Sequence, residues 1–160
     1  MIFKVRFALA ALVLSLGMAA CTDDEKKAEE TVTPATTEQP ATPPEELARE
    51  ALKTVYFAFD DYTLNSDSQA TLNAVADYLK GNQAVVIQVE GHCDERGSIE
   101  YNLALGERRA QSVKNYLVQL GVDAARLPTI SYGEEKPVDQ GHDESAWSKN
   151  RRAEFVVSKP

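Results

Sequence analysis

The segment Gly91–Leu117, GHCDERGSIEYNLALGERRAQSVKNYL, reads as the end of a strand, a turn and a long helix in immediate succession. Just before it, Val85, Ile87 and Val89 alternate with Val86, Gln88 and Glu90, the period of two expected of a half-buried strand. Gly91 and Gly97 bracket the turn. Ser98 is an N-cap type of residue. Leu103, Ala110, Val113, Leu117 and Leu120 then follow at spacings of seven, three, four and three, a stripe along one side of a helix. Asp94 therefore stands where the strand opens out, and Arg109 on the helix that follows. A carboxylate and a guanidinium that meet across such a corner can grip a small zwitterion, one taking the ammonium and the other forking onto the carboxylate. Spacing alone leaves plainer readings open: Asp94 capping the turn, and Arg109 pairing with Glu107 or Glu100 on a solvated helix face.

Upstream, TVYFAF from Thr54 is an alternating aromatic strand that turns at Asp60 and Asp61. Ser66 and Gln69 have the spacing of a capping box, and Leu72, Val75, Ala76 and Leu79 form the next apolar stripe before Gly81 ends that helix. Downstream come a strand around Thr129–Tyr132, a loop with Pro137 and Gly141, a short helical turn near Ser145, and a last strand, AEFVV. The expected class is α+β in two layers: strand-helix-strand-helix-strand-strand, with the helices packed on a small mixed sheet. A short amphipathic helix is expected over Glu45–Lys53.

Residues 45–160 are enough for one domain with a single core. Residues 21–44 are rich in Thr, Glu, Ala and Pro and hold little apolar surface to offset the entropy of ordering, so they read as a disordered tether. Residues 1–20 read as a signal peptide: Lys4 and Arg6 form a basic start, Phe7–Leu16 an apolar run, and Met18, Ala19 and Ala20 a small-residue approach to Cys21. The apolar run is shorter than the about twenty residues needed to span a bilayer. The chain carries 17 basic and 25 acidic residues, which disfavours nucleic-acid binding by bulk attraction.

His92, Cys93, Asp94 and His142 contain no metal-ligand spacing such as C-x-x-C or H-x-x-x-H, so no metal or cofactor is expected. His92 and Cys93 are neighbours on an extended strand end and point to opposite sides. His142 would be the better base for a Cys93 nucleophile if the fold brought the two together. Arg108 points about 100° away from Arg109 on a helix and reads as a structural or surface residue.

The strings GHxDERG, EYN, LGERRA and KNRRA, beginning at Gly91, Glu100, Leu105 and Lys149, resemble in order the peptidoglycan-binding segment of OmpA-like domains, over roughly Val55–Val157. The Ala20-Cys21 junction resembles a bacterial lipobox, with Met18 in place of the more usual Leu; Thr22, where an Asp resembles an inner-membrane retention signal, points to the outer membrane. The resemblance implies an outer-membrane lipoprotein, acylated at Cys21 and facing the periplasm. It would bind the cell wall without catalysis and act in envelope integrity and cell division. In the family an Asp and an Arg fifteen positions apart hold the amino-acid end of the meso-diaminopimelate side chain, here Asp94 and Arg109. A Phe-Asp pair beside the ligand becomes Phe59 and Asp60, with Leu105 lining the pocket. The lipoprotein branch further implies the Tol system as partner, with TolB sharing the peptidoglycan-binding surface. Tyr101 and Asn102 are expected to lock the helix start, Trp147 to pack, and one of Arg151 and Arg152 to make an ion pair at the core edge. Relatives commonly carry Thr or Ala where this chain has Cys93, so a hydroxyl contact at that place is not available. Two other readings stand beside this one: a periplasmic wall-peptide hydrolase with Cys93 as nucleophile, and a TolB-binding scaffold without wall binding.

The leader generates a test of its own. Cys21→Ser should abolish acylation and release the protein from the membrane, read by mass spectrometry of the mature N-terminus and by fractionation. An unmodified wild-type N-terminus would overturn the lipoprotein assignment.

Overall fold

The computed structural model describes residues 44–159; the expected leader, Cys21 and the tether up to residue 43 lie outside them. Among the described residues no helix is long and apolar enough to cross a membrane. In chain order the elements are α1 (Pro44–Ala51), β1 (Val55–Tyr56), α2 (Ser66–Gly81), β2 (Val86–His92), α3 (Ile99–Gln119), a 3₁₀ turn (Ala124–Arg126), β3 (Thr129–Gly133), α4 (Glu144–Asn150) and β4 (Arg152–Lys159). The sheet order is β1-β4-β2-β3, with β2 and β3 parallel and the other neighbours antiparallel. This is the mixed sheet and α+β class expected from the sequence, with the turn near Ser145 realised as α4.

One face of the sheet carries the core. Ile87 and Val89 of β2 and Ala153 of β4 meet Leu72, Val75, Ala76 and Leu79 of α2 and Ala110, Val113 and Leu117 of α3. Each fully buried Leu or Val here contributes about 1.5–3 kcal/mol by leaving water. The amphipathic segment before β1 forms α1, whose Ala48 is buried and whose neighbour Leu52 packs on the core. The alternating residues of the strands, Glu90, His92, Arg152 and Glu154, stand on the opposite face of the sheet.

Three local expectations are corrected. The cap of α2 is Asn65, not Ser66: its side-chain oxygen accepts from Ser68 N at 2.8 Å, while Gln69 Nε2 donates to Leu64 O, so no Ser66–Gln69 box forms. The first strand is two residues long rather than running to Phe59. Phe57 N still donates to Arg151 O, but the Ala58 and Asp61 carbonyls turn away from the sheet and accept hydrogen bonds from Arg109. Asp60 follows with φ 55°, an uncommon conformation for a residue with a Cβ. In α3, capped by Ser98 as expected, the buried face runs through Asn102, Leu105, Gly106, Arg109, Ala110, Val113 and Leu117, leaving Leu103 and Leu120 as half-buried flanks. The first turns of α3 face a polar cleft rather than the apolar core, so an apolar stripe misplaces them.

Gly91 does more than bracket a turn. A Cβ on Gly91 would stand 1.9 Å from the carbonyl oxygen of Gly106, and a Cβ on Gly106 would stand 2.3 Å from Ser131 Oγ. Strand β2 and helix α3 therefore touch backbone to backbone, which sets how close Arg109 comes to the strand end. Gly91→Ala should destabilise the domain by at least about 1–3 kcal/mol, because the obstructing atom is backbone and cannot rotate away. Gly81→Ala, which meets nothing within 4 Å, should be neutral or stabilise by up to about 1 kcal/mol. Urea midpoints at unchanged slope measure both.

Candidate functional site

Where β2 ends and α3 begins, a cleft of about 230 Å³ opens. Phe59, Asp60, Asp94, Leu105 and Arg109, singled out in the sequence, all line it, together with Cys93, Arg96, Tyr101, Asn102 and Arg151. The volume lies below the roughly 300–1,000 Å³ of pockets that enclose drug-sized ligands, so it suits one small group at the end of a larger molecule.

Arg109 is wholly buried, not on a solvated face beside Glu107 or Glu100. Its Nε donates to Asp61 O at 2.8 Å, Nη1 to His92 O at 2.8 Å and to Cys93 Sγ at 3.5 Å, and Nη2 to Ala58 O at 3.1 Å. Burial pulls this guanidinium below its ordinary pKa, opposed by Cys93 and Asp94, and it remains cationic. Of the five N–H groups, four are engaged. A ligand carboxylate would thus meet one N–H and a buried positive charge, not the free two-pronged fork that the sequence reading supposed. Among the described residues no carboxylate lies within ion-pair distance of Arg109.

Asp94 is also buried, and it has partners. Arg96 Nη2 donates to Asp94 Oδ2 at 2.6 Å, Arg96 N to Oδ1 at 3.1 Å, and Arg151 Nη1 to Oδ2 at 3.3 Å. Burial works against its charge, but the Arg96 and Arg151 hydrogen bonds outweigh it and hold the carboxyl below its ordinary pKa. The two arginines differ. Both lie within ion-pair distance of Glu144, but Arg151 is 8% exposed and also tied to Phe57 O, whereas Arg96 is 31% exposed and lies flat between Phe59 and Trp147, 4.0 and 4.1 Å from their ring centres. Arg96 is therefore the more accessible of the two.

Sequence reasoning missed Arg96 and treated Arg151 as structural. The signal available was their repetition in the ERG and NRR strings, but nothing local shows two arginines, 55 positions apart, meeting on one aspartate. Asn102 locks the start of α3 as expected, donating to the Asp94 and Arg96 carbonyls and to Glu134. Tyr101 instead reaches out, its hydroxyl donating to Asp60 across the mouth of the cleft. Trp147 packs by donating Nε1 to Glu95 at 2.9 Å, and His142 pairs with the same carboxylate, so His142 is not a base for Cys93. Cys93 Sγ donates to Asn102 O, and burial pushes its thiol up to about 11. His92, Cys93, Asp94 and His142 do not converge on one point. In a chain with net charge −8, this cleft gathers three arginines against two aspartates, a local positive excess suited to an anionic group.

The sequence profile of the OmpA family matches residues 56–151. The chain is 57% identical over 100 residues to the peptidoglycan-associated lipoprotein of Haemophilus influenzae, a match covering 62% of this chain and 65% of that protein. It is 49% identical over 111 residues to the peptidoglycan-associated lipoprotein of Pseudomonas aeruginosa, covering 69% and 66% of the two chains. The chain thus spans just under two thirds of the length of these relatives. Among solved structures, the peptidoglycan-associated lipoprotein of Burkholderia pseudomallei superposes with a TM-score of 0.65 at 48% identity, over 67% of this chain and 91% of that one. The C-terminal domain of Helicobacter pylori MotB, at 24% identity and a TM-score of 0.63 over 68% and 86% of the two chains, shares the fold. The chain belongs to the OmpA family, on the branch of the peptidoglycan-associated lipoproteins.

Proposed function

We propose that this protein binds peptidoglycan non-covalently through the meso-diaminopimelate of the stem peptide and so anchors the outer membrane to the cell wall within the Tol–Pal system. The observation that carries the reading is the cleft itself: Asp94 and Arg109 stand in one amino-acid-sized space with a positive excess, inside an acidic protein. The free end of diaminopimelate carries one ammonium and one carboxylate on a methylene stem. The ammonium takes the place of Arg96 against Asp94. The carboxylate lies toward Arg109 and its remaining N–H, and Phe59 and Leu105 flank the stem. Each charge-assisted hydrogen bond is worth about 1.5–3 kcal/mol. Because the exchange swaps one cation for another at Asp94, the buried carboxylate is never left without a partner, which would be costly.

The cell wall is itself anionic, so an acidic protein must bind it through a shaped local site, with longer-range repulsion screened beyond about 8–10 Å. On this reading a lipid on Cys21 holds the domain at the outer membrane, facing the periplasm, and TolB competes for the same mouth. No catalytic step is needed. The hydrolase alternative is poorly supported, since Cys93 is buried, lacks a histidine partner and has a raised thiol pKa. A scaffold that bound only TolB would not need an ammonium site and an anion site joined in one cleft.

Wild-type protein should co-sediment with diaminopimelate-type sacculi and bind lysine-type wall at least about tenfold more weakly, because lysine lacks the terminal carboxylate. Equal binding to both would overturn the role of Arg109. Asp94→Ala and Arg109→Lys should each weaken binding by about tenfold to a hundredfold, with circular dichroism confirming the fold and Arg108→Ala as the unchanged control.

The thiol separates binding from hydrolysis. In the folded protein Cys93 should react with a disulfide reagent at neutral pH far more slowly than in urea, the rate climbing as pH approaches about 11. Rapid labelling at neutral pH, with loss of a wall-peptide turnover, would favour the hydrolase.

A further inference from the structure

We propose that the outer face of the sheet holds a second site, in which Glu90, His92 and Glu154 bind a divalent transition-metal ion of the zinc type. Glu90 and His92 lie two apart on β2 and so share a face, and the antiparallel register sets Glu154 of β4 directly opposite Glu90. One ligand atom from each residue falls within 4.8 Å of the others. His92 Nε2 is 3.8 Å from Glu90 Oε2 and 4.0 Å from Glu154 Oε2. These separations are too long for hydrogen bonds. They are only slightly wider than the roughly 3.4 Å between ligand atoms around a tetrahedral zinc with bonds of about 2.0–2.2 Å. Metal binding requires the two glutamates to rotate inward from these positions.

Two independent observations point to a ligand here rather than to a chance acidic cluster. His92 is 1% exposed, yet neither of its ring nitrogens has a hydrogen-bond partner; the ring is held by stacking on Tyr132 at 5.6 Å between centroids. A buried imidazole so placed is expected to find a partner, and a cation between the carboxylates supplies one. The carboxylates, in turn, are already oriented. Gln88 Nε2 donates to Glu90 Oε1 at 3.3 Å and Arg152 Nε to Glu154 Oε1 at 2.7 Å, leaving the Oε2 atom of each turned toward His92. The two carboxylates thus have outer-shell partners of the kind that orient metal ligands, while His92 is placed by its ring stacking alone. Arg152 is thereby committed to one oxygen of Glu154, and exposed Lys136 is held over the Tyr132 ring, so neither occupies the centre. Glu154 is 34% exposed, leaving an open side where water completes the coordination. One imidazole and two carboxylates form a donor set that zinc and its neighbours accept. The site lies on the face of the sheet opposite the helices and shares with the cleft only His92, whose ring belongs to this site and whose backbone carbonyl holds Arg109.

The test uses the full chain in detergent, stripped with chelator, cleared of it, and titrated with zinc chloride by calorimetry and with cobalt chloride by visible absorption. The wild type should take up about one equivalent of either metal and melt at a higher temperature with it. His92→Gln and, independently, the more exposed Glu154→Gln should each weaken uptake at least about tenfold. His142→Gln, which removes the only other histidine, should leave uptake unchanged. No uptake by the wild type, uptake that survives both His92→Gln and Glu154→Gln, or uptake abolished by His142→Gln would each overturn the site.

Discussion

The burial of Arg109 constrains everything around the cleft. A guanidinium taken out of water is tolerable only when its N–H groups find acceptors, and here they find the carbonyls of Ala58 and Asp61 after β1 and of His92 at the end of β2. One side chain on α3 thus ties together two segments distant in sequence. The ends of β1 and β2 are held open because their carbonyls serve the arginine rather than a neighbouring strand. The short first strand, the positive φ of Asp60 and the position of Phe59 at the cleft mouth all follow from that demand.

Arg109 reaches those carbonyls from a helix that touches β2 backbone to backbone. Gly91 and Gly106 permit backbone contact, and any side chain at Gly91 would drive the helix away from the strand. The glycine contact and the buried arginine are therefore one device: the first sets the distance, and the second uses it. Away from this seam the same two elements are joined by ordinary apolar packing of Ile87 and Val89 against Ala110, Val113 and Leu117. Helix α3 is thus packed against apolar side chains over its second half and against the polar cleft over its first.

Asp94 completes the site differently. Its two arginine partners come from its own loop and from the C-cap of α4, and they are held unequally. Arg151 is locked by Phe57 O and Glu144, while Arg96 rests between two aromatic faces at the surface. The buried carboxylate is kept ionised by one enclosed and one more accessible cation, so it does not stand bare. The proposed wall anchorage assigns that place at Asp94 to the ammonium of the stem peptide.

Much was legible in the chain alone. The alternation in Val85–Glu90, the Ser98 cap and the stripe through Ala110, Val113 and Leu117 follow from periods of two and 3.6, which are local properties of the backbone, and so the order and type of the elements could be read directly. The ordered motifs from Gly91 to Ala153 likewise pointed to Asp94, Leu105 and Arg109 in the cleft, and the resemblance they carry added Phe59 and Asp60. What the sequence by itself could not determine is whatever depends on two elements meeting. That Arg109 faces carbonyls rather than glutamates, that Arg96 and Arg151 share Asp94, that Asn65 and not Ser66 caps α2, and that Glu154 comes to stand beside Glu90 and His92 were decided by helix-on-strand approach and by strand register. Those distances are set by packing between residues far apart in the chain, where no local period carries the information.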